Sequence, residues 1–132
     1  MRLPSGVHYA TRALVALANA PAGVPVKCHR IADEAQIPVN FLQLLMHRCQ
    51  SAGLVQGTRG RCGGFVLTTP AADISVARVW RAVVGAGSDH ESASVDSARF
   101  GLAALDELLC QLNEAVLNRL DALTIADLAA SR

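Results

Sequence analysis

Apolar residues recur at steps of three and four along the first half of the chain, the spacing of one face of an α-helix. Residues 9–20 are rich in Ala and Leu and end at 21–23 (PAG), which predicts a first helix that stops there. A second helix is predicted by apolar residues at i, i+3, i+4 and i+7: Cys28, Ile31, Ala32 and Ala35. Pro38 ends this helix and fits the start of a third, which continues until Gly53. The pattern therefore predicts two short helices joined by a tight turn.

The third predicted helix separates its apolar and polar residues most clearly. Its apolar stripe consists of Leu42, Leu45, Met46 and Cys49. The opposite stripe consists of Asn40, Gln43, His47 and Gln50. Amide side chains can make bidentate hydrogen bonds to an adenine edge, and an α-helix fits the major groove of B-DNA. The polar stripe is therefore either a DNA-reading surface or an ordinary solvated face.

Two short runs of strand-forming residues, 54–56 and 65–67, flank a basic, glycine-rich segment at 57–64. They predict a β-hairpin with a long tip. Helix, turn, helix and basic hairpin is the order of a winged helix-turn-helix, whose second helix enters the major groove. An arginine at the tip, Arg59 or Arg61, can enter a narrow minor groove. A nucleotide-binding loop is the competing interpretation, but no Gly-Lys-Ser/Thr follows and the segment does not precede a helix.

The last third of the chain predicts helices that follow the winged domain. Residues 74–84 predict a helix packed on the winged domain, and a long helix is predicted over 98–120. Five apolar residues of the long helix have the seam spacing of helices packed side by side: Leu102, Leu105, Leu109, Leu112 and Val116. A helix of about 30 Å overhangs so small a domain, so a homodimer is favoured over packing within the chain. Two-fold symmetry would then imply a palindromic operator.

The predicted fold class is mainly α with a small β-hairpin. A winged helix-turn-helix domain occupies residues 1–84, a polar linker occupies 85–97, and 98–132 contain the dimerisation helix and a C-terminal helix.

The composition agrees with a small helical protein, since 52% of the 132 residues are hydrophobic but only 4% are aromatic. No apolar run approaches the roughly 18 residues that span a bilayer, and no signal peptide opens the chain, so a cytoplasmic protein without membrane attachment is expected. Residues 1–81 carry nine basic and three acidic residues, whereas 82–132 carry three and eight. The first part can therefore face a polyanion such as double-stranded DNA. A mixed solvated surface is the alternative.

Four stretches resemble the bacterial Rrf-type winged-helix regulators (IscR/NsrR-like, BadM-like): 40–43 (NFLQ), 52–55 (AGLV), 59–65 (RGRCGGF) and 124–128 (TIADL). The resemblance covers nearly the whole chain, and the wing pattern is its most specific element. It implies a homodimeric transcription factor, commonly a repressor, in which Asn40 and Gln43 contact bases and Arg59 enters the minor groove. With their neighbours, the candidate DNA-binding residues are Asn40, Gln43, His47, Arg48, Arg59 and Arg61.

The cluster-binding members of this family carry three cysteines between the wing domain and the long helix, and this chain has none there. Counted back from Thr124, the family's cysteine positions fall near Glu91, Ser97 and Ala103. Iron–sulfur clusters are usually held by cysteine and less often by histidine, so no cofactor is predicted. A cluster held by atypical ligands such as Cys110, His90 or acidic side chains is the alternative.

Of the four cysteines, Cys28 and Cys49 lie on apolar helix faces and are interpreted as core residues. Cys110 lies beside the apolar seam of the long helix. There it either packs in the dimer interface or contacts the same cysteine of the second chain. Cys62 lies in the wing between arginines, and neighbouring positive charge favours a reactive thiolate. We therefore interpret Cys62 as a candidate redox-sensitive thiol, with an incidental loop residue as the alternative.

The histidines have no metal-ligand spacing and no catalytic motif is present, so neither a metal site nor an enzyme is predicted. Three functions remain open. The first is a dimeric DNA-binding regulator controlled by thiol redox, a ligand or a partner protein. The second is a cluster-dependent sensor, and the third is a protein-interaction dimer that has lost specific DNA binding.

Overall fold

The structure is a computed structural model that describes residues 3–61, 63–85 and 101–131. The helices are α1 (Ser5–Asn19), α2 (Cys28–Ala35), α3 (Val39–Ser51), α4 (Val76–Val84), α5 (Ala103–Leu120) and α6 (Ile125–Ala130), with a 3-10 helix at Ala71–Asp73. Strands β1 (Val55–Thr58) and β2 (Gly64–Leu67) form an antiparallel hairpin. Helix, turn, helix, hairpin and long C-terminal helix follow in the expected order. The predicted fold class is therefore confirmed.

Helix α1 lies at the centre of the domain and packs against α2, α3, α4 and α6. Its inward face is fully buried and consists of Val7, Ala10, Ala13 and Leu14. Small residues let neighbouring helices approach closely, and Gly6 shows how little room is left. A Cβ at Gly6 would lie only 3.2 Å from Val83 Cγ1. Helix α1 begins at Ser5 rather than at residue 9, because this first turn also packs into the core.

The turn between α2 and α3 centres on Gln36, which adopts the left-handed conformation with φ of 57°. It is the only non-glycine residue with positive φ in the described part of the chain. The N–H groups of Gln36 and Ile37 both donate to the carbonyl of Ala32, the latter at 2.9 Å. Pro38 then precedes α3 as its N-cap residue. A left-handed cap at Gln36 thus ends α2. The sequence predicted the tight turn and the start of α3, but it attributed the end of α2 to Pro38 rather than to this residue.

The hairpin after α3 has a shorter tip than the sequence predicted. Its register is Val55 with Leu67, Gln56 with Val66, Gly57 with Phe65, and Thr58 with Gly64. The predicted loop over 57–64 was therefore too long, since pairing leaves only residues 59–63 at the tip. A Cβ on Gly57 would lie 3.0 Å from the Phe65 ring. Glycine at this position lets the aromatic side chain lie against the opposite strand, so the glycine belongs to the ladder.

A third extended segment, which the sequence did not predict, lies beside β2. The Val26 N–H donates to the Phe65 carbonyl at 3.0 Å, and the Phe65 N–H donates to the Val26 carbonyl at 2.8 Å. Gly64 permits this approach, because a Cβ there would lie 2.5 Å from the Val26 oxygen. The bridge fixes the hairpin to the residues just before α2. A single bridging residue has no periodicity from which it could have been predicted.

The long helix α5 begins at Ala103, after its N-cap residue Leu102, and the helix predicted over 98–120 is therefore wrong at residues 101 and 102. Gly101 has a φ of 72°, which an α-helix does not accommodate. Residues 98–100 lie outside the described residues. Helix α5 has 18 residues, which correspond to about 27 Å. It packs on α4, and near its end Leu117 is buried. Of the predicted linker over 85–97, the structure describes only Gly85. None of the helices described here is long and apolar enough to cross a membrane.

The C-terminal helix α6 returns to the core beneath α1. A capping box starts it, because the Asp127 N–H donates to Thr124 Oγ1 at 3.2 Å and the Thr124 N–H donates to the Asp127 carboxylate at 3.0 Å. Ile125 is fully buried, and its N–H donates to the Ile74 carbonyl at 2.8 Å. The sequence-based division grouped this helix with the dimerisation helix, whereas the structure packs it against α1 and the 3-10 helix.

Candidate nucleic-acid interface

Helix α3 has one buried face and one exposed face. Leu42, Leu45, Met46 and Cys49 are at most 1% exposed. The side chains of the opposite face are exposed: Asn40, Gln43, His47 and Gln50. The predicted division of this helix is therefore confirmed. Three amides and an imidazole therefore project from a helix whose other face is packed in the core.

Arg48 lies between these two faces and differs from the other candidate DNA-binding residues. It is half-buried, and its Nη1 donates to the Val83 carbonyl at 2.9 Å. That carbonyl belongs to the last turn of α4, where backbone oxygens lack partners within the helix and a positive charge is favourable. Arg48 therefore ties α3 to the end of α4. Its guanidinium is held by the domain itself rather than pointing freely with the polar face.

The hairpin tip presents two exposed arginines, Arg59 and Arg61. Gly60 has φ of 104°, which favours glycine, and its carbonyl accepts from the Gly63 N–H at 3.0 Å. A Cβ on Gly63 would lie 2.4 Å from the Thr58 carbonyl oxygen. The two glycines thus make a tight turn that places both arginines at the surface. Cys62, the candidate redox thiol of the same tip, lies outside the described residues.

The polar face of α3 and the hairpin are two walls of one cleft. The cleft has a volume of about 600 Å³, and His47, Gln50, Thr58 and Arg59 line it. Its third wall is the start of α2, where Lys27 and Cys28 lie. The structure therefore brings His47 and Gln50 of the predicted helix face together with Arg59 of the predicted wing. The other candidates do not line this cleft: Asn40, Gln43, Arg48 and Arg61. This juxtaposition could be expected only from the order of the elements, not from any one motif.

Lys27 is a residue of this cleft that the sequence analysis did not select. It is exposed and occupies the N-cap position of α2 without making a capping hydrogen bond. A lysine at a helix N-terminus is disfavoured by the helix dipole, and Ser, Thr, Asp or Asn would be the usual choice. This departure from the usual N-cap residues was the sequence signal by which Lys27 could have been selected.

The predicted seam of α5 is largely uncovered within the chain. Leu102, Leu105, Leu109 and Leu112 are 45–53% exposed. Val116 is half-buried, since it lies near the end of α5 that meets the domain. Leu108 is 51% exposed and adds to the same apolar surface, although the seam spacing did not select it. Clustered exposed leucines of this kind mark an interaction surface.

The described cysteines occupy three unlike environments. Burial raises the pKa of Cys49 to about 11, and burial also raises the pKa of the half-buried Cys28. Cys110 is exposed on α5. Among the described residues, no group of three or more His, Cys, Asp and Glu side chains could hold a metal ion. The described cysteines therefore do not form such a group, and Cys62, His90, Glu91 and Ser97 lie outside the described residues.

Residues 3–131 match the family described as Rrf2, iron-dependent transcriptional regulator. A chain named as a helix-turn-helix transcriptional regulator from Mycobacterium tuberculosis (strain H37Rv) is 31% identical over 131 residues, 98% of this chain and 81% of that protein. The regulator IscR of Escherichia coli O1:K1 is 38% identical over 84 residues, 63% of this chain and 51% of that protein.

Solved structures show the same fold. The structure of IscR from T. potens has a TM-score of 0.75 and 24% identity, covering 99% of this chain and 88% of that one. Oxidised CymR from Staphylococcus aureus has a TM-score of 0.71 and 26% identity, covering 98% and 96%. The relatives from Mycobacterium tuberculosis and Escherichia coli are named as transcriptional regulators, not as enzymes. The exposed polar helix, the basic wing and these similarities together show that the chain belongs to the Rrf2 family of DNA-binding transcriptional regulators.

Proposed function

We propose that the chain is a homodimeric transcriptional repressor that binds a palindromic operator without an iron–sulfur cluster. The observation that carries the DNA-reading part is the shared cleft, in which His47 and Gln50 of the polar face of α3 lie beside the arginine-tipped hairpin. Asn40 and Gln43 are exposed on the same face of α3, outside this cleft. A winged helix-turn-helix places its second helix in the major groove. The hairpin then lies along the adjoining stretch of duplex.

In this proposal, base reading belongs to Asn40, Gln43 and His47. The amides can make bidentate hydrogen bonds to an adenine edge. Arg59 and Arg61 are exposed at the hairpin tip and enter the minor groove where it is narrow and its negative potential is strongest. Arg48 contributes by holding α3 against α4 through its bond to the Val83 carbonyl.

Phosphate contacts come from the remaining wall of the cleft. Lys27 is exposed there, directly before α2, and the first N–H groups of a helix favour an anion. A DNA backbone strand that passes between α3 and the hairpin would meet this positive end. Contacts of this kind position the protein but carry no sequence information.

The homodimer is supported by the uncovered leucines of α5. Burying them against the same surface of a second chain removes an apolar patch that the chain itself leaves exposed. Packing two α5 helices side by side gives a two-fold axis. Two α3 helices would then face half-sites about 34 Å apart, one turn of B-DNA, on a palindromic operator.

The absence of a cluster is supported by the described thiols, which do not converge, and by Ala103, which supplies no ligand at one of the family's expected cysteine positions. Protein purified without oxygen is therefore expected to be colourless and free of iron. Stoichiometric iron with visible charge-transfer bands would contradict this part and favour a cluster sensor with atypical ligands.

Control by thiol redox at Cys62 remains a hypothesis that rests on its place in the wing sequence. Mild peroxide is expected to weaken operator binding by the wild type and to leave Cys62→Ser unaffected. Equal sensitivity of the two proteins would remove Cys62 from the mechanism. A bound ligand or a partner protein would then be the remaining means of control.

The test of the reading surface begins with selection of the preferred sequence from randomised duplexes. Gln43→Ala is expected to lose discrimination at one operator position, worth about 1–3 kcal/mol. Arg59→Ala is expected to lose the preference for a narrow, A·T-rich minor groove. Gln111→Ala and Arg119→Ala on α5 are matched controls that remove the same side-chain types away from the cleft. Unchanged selectivity in both Gln43→Ala and Arg59→Ala would refute the assignment.

The salt dependence of binding tests whether this chain still binds DNA specifically. Phosphate contacts from Lys27 and the wing arginines release counterions, so affinity should fall steeply as salt is raised. Lys27→Gln is expected to reduce that slope by about one contact while leaving the selected sequence unchanged. A protein that dimerises but shows no sequence-selective, salt-dependent binding would instead be an interaction module.

A further inference from the structure

Leu44 is an exposed leucine beside the polar stripe of α3. It is 46% exposed, whereas Leu42 and Leu45 on the buried face of the same helix are at most 1% exposed. A single exposed leucine is ordinary on a protein surface, so its exposure alone indicates nothing. What makes Leu44 informative is the set of side chains around it.

The neighbours of Leu44 on the helix surface follow from the helical repeat. At about 100° per residue, Leu44 lies about 40° from Asn40 around the axis of α3, and His47 lies about 20° from Asn40 on the other side. All three side chains are exposed. His47 and Gln50 line the cleft, so Leu44 lies on the opposite flank of the outward face. An apolar side chain thus adjoins the side chains to which base reading is assigned.

Arg48 lies one turn after Leu44 on the same flank. Its Nη1 donates to the Val83 carbonyl at 2.9 Å, which holds the guanidinium at the end of α4. The long basic side chain that could have reached over this flank is therefore engaged within the domain. The outward surface beside Asn40 is left to the isobutyl group of Leu44.

The position of Leu44 is fixed by the core. Leu45 and Met46, which follow it in the chain, are at most 1% exposed and anchor this turn of α3. A side chain on a packed helix is positioned more precisely than one on a loop. Leucine also loses little rotamer freedom in a helix, so ordering it against a partner costs little.

The chemistry of the major groove selects the partner of such a side chain. The C5-methyl group of thymine is the apolar group among the donors and acceptors that the base pairs present there. Against thymine, an exposed leucine removes two apolar surfaces from water. Against another base edge it covers a hydrogen-bonding group without supplying a partner, which costs free energy. A leucine at this place therefore both favours thymine and disfavours its competitors.

We propose that Leu44 is a specificity-determining residue that selects thymine at one position of each operator half-site, through contact with its C5-methyl group. This inference rests on the proposed function, because it requires α3 to enter the major groove. Asn40 and His47 read hydrogen-bonding groups, and Leu44 reads the methyl group beside them.

The test uses the duplex that the wild type selects from randomised sequences. Each thymine is replaced in turn by deoxyuridine, which keeps the hydrogen-bonding groups and removes only the methyl group. At one thymine of each half-site, this replacement should weaken wild-type binding about fourfold, and about fifteenfold when both half-sites are changed, as expected for loss of one buried carbon group. Leu44→Ala should bind the thymine and uracil duplexes equally. Fluorescence anisotropy at one salt concentration measures the affinities.

Two control variants should keep the wild-type difference between thymine and uracil. Leu123→Ala removes an exposed leucine from the turn between α5 and α6. Arg59→Ala changes the wing, which is assigned to the minor groove, where thymine and uracil present the same atoms. A wild type that is indifferent to every thymine methyl group would overturn the proposal, and so would a difference that persists in Leu44→Ala. Loss of the difference in Val39→Ala but not in Leu44→Ala would assign the contact to Val39 instead.

The folding of Leu44→Ala is checked by circular dichroism, and a folded protein is expected because alanine is the most favourable helix residue. If it does not fold, Leu44→Gln replaces it, since glutamine keeps the length and the helix propensity. This variant should also lose the preference, because a polar amide gains nothing from a methyl group. A wild type that selects no sequence overturns the proposed function and this inference together. Selection of a sequence without a methyl effect that depends on Leu44 overturns this inference alone.

Discussion

Helices α3 and α5 both carry apolar residues at steps of three and four, yet the stripe of α3 is buried and that of α5 is exposed. Leu42 and Leu45 of α3 are at most 1% exposed, whereas Leu109 and Leu112 of α5 are 53% and 50% exposed. The difference lies in what faces each helix. Helix α3 packs on α1, α2 and α4, while α5 packs on α4. A stripe of this spacing thus indicates that a helix needs a partner, and the fold decides whether the chain supplies it.

The comparison has an energetic consequence. Burying a leucine fully is worth about 1.5–3 kcal/mol, so the uncovered half of each α5 leucine represents about 1 kcal/mol. For five such leucines, including Leu108, the hydrophobic free energy that the chain itself does not gain is about 5 kcal/mol. In α3 the corresponding free energy stabilises the fold, and in α5 it is available for association.

The largest expected effect is on the buried stripe. Leu45→Ala should lower the free energy of unfolding by about 2–5 kcal/mol, because it removes buried methyl groups and leaves a cavity. Leu44→Ala on the same helix is the matched control, since Leu44 is 46% exposed and should change stability by less than about 0.5 kcal/mol. Urea unfolding at one fixed protein concentration checks both. Similar losses from the two substitutions would contradict the assigned faces of α3.

The next effect is on the exposed stripe. Leu109→Asp should weaken dimerisation about a hundredfold, equivalent to about 2.7 kcal/mol, by placing a charge in the apolar seam. The winged domain should keep its helical circular dichroism, because Leu109 packs little within the chain. Gln111→Asp, on the other side of α5, is the charge-matched control. Sedimentation across a dilution series measures the change, and a dimer unaffected by Leu109→Asp would refute the seam.

The smallest effect concerns the cysteine that each helix carries. Cys49 lies in the α3 stripe, where burial raises its pKa from the ordinary 9.0 to about 11, whereas Cys110 is exposed on α5. Because the folded-state pKa is the higher one, the stabilising contribution is complete below pH 9 and is lost as pH rises towards 11.

Between pH 8 and pH 10, wild-type protein should therefore lose about 1 kcal/mol more stability than Cys49→Ala. Cys110→Ala is the matched control and is expected to follow the wild type. Chemical unfolding at the two pH values gives the comparison. Parallel losses in wild type and Cys49→Ala would show that Cys49 is not shielded from water.

Much of the fold could be predicted because it depends on local patterns. The apolar face of α3, the stop at Gly53 and the glycines of the wing each follow from periodicity or backbone conformation. The hairpin tip was predicted too long, because a glycine such as Gly57 is typical of a turn. Only its pairing with Phe65 shows that it belongs to the strand. The bridge at Val26 has no local signal at all.

Some residues of the candidate site could likewise be predicted from local patterns, and others could not. Asn40 and Gln43 are selected by the contrast between two faces of one helix. Arg48 looks equivalent to them in the sequence, but its bond to the Val83 carbonyl depends on how α3 meets α4. Lys27 joins the cleft only because the Val26 bridge draws the start of α2 against the wing. Contacts between distant segments therefore decided which basic residues face the cleft.

The sequence by itself determined the helices, the turn between α2 and α3, the basic wing and the unpartnered stripe of α5, because each depends on residues within a few positions of one another. Only the tertiary structure decided that α6 belongs to the core of the winged domain and that Arg48 caps α4. Those outcomes depend on which surfaces meet when apolar area is removed from water. Burial is a non-directional force, and its result is set by the packing of the whole chain.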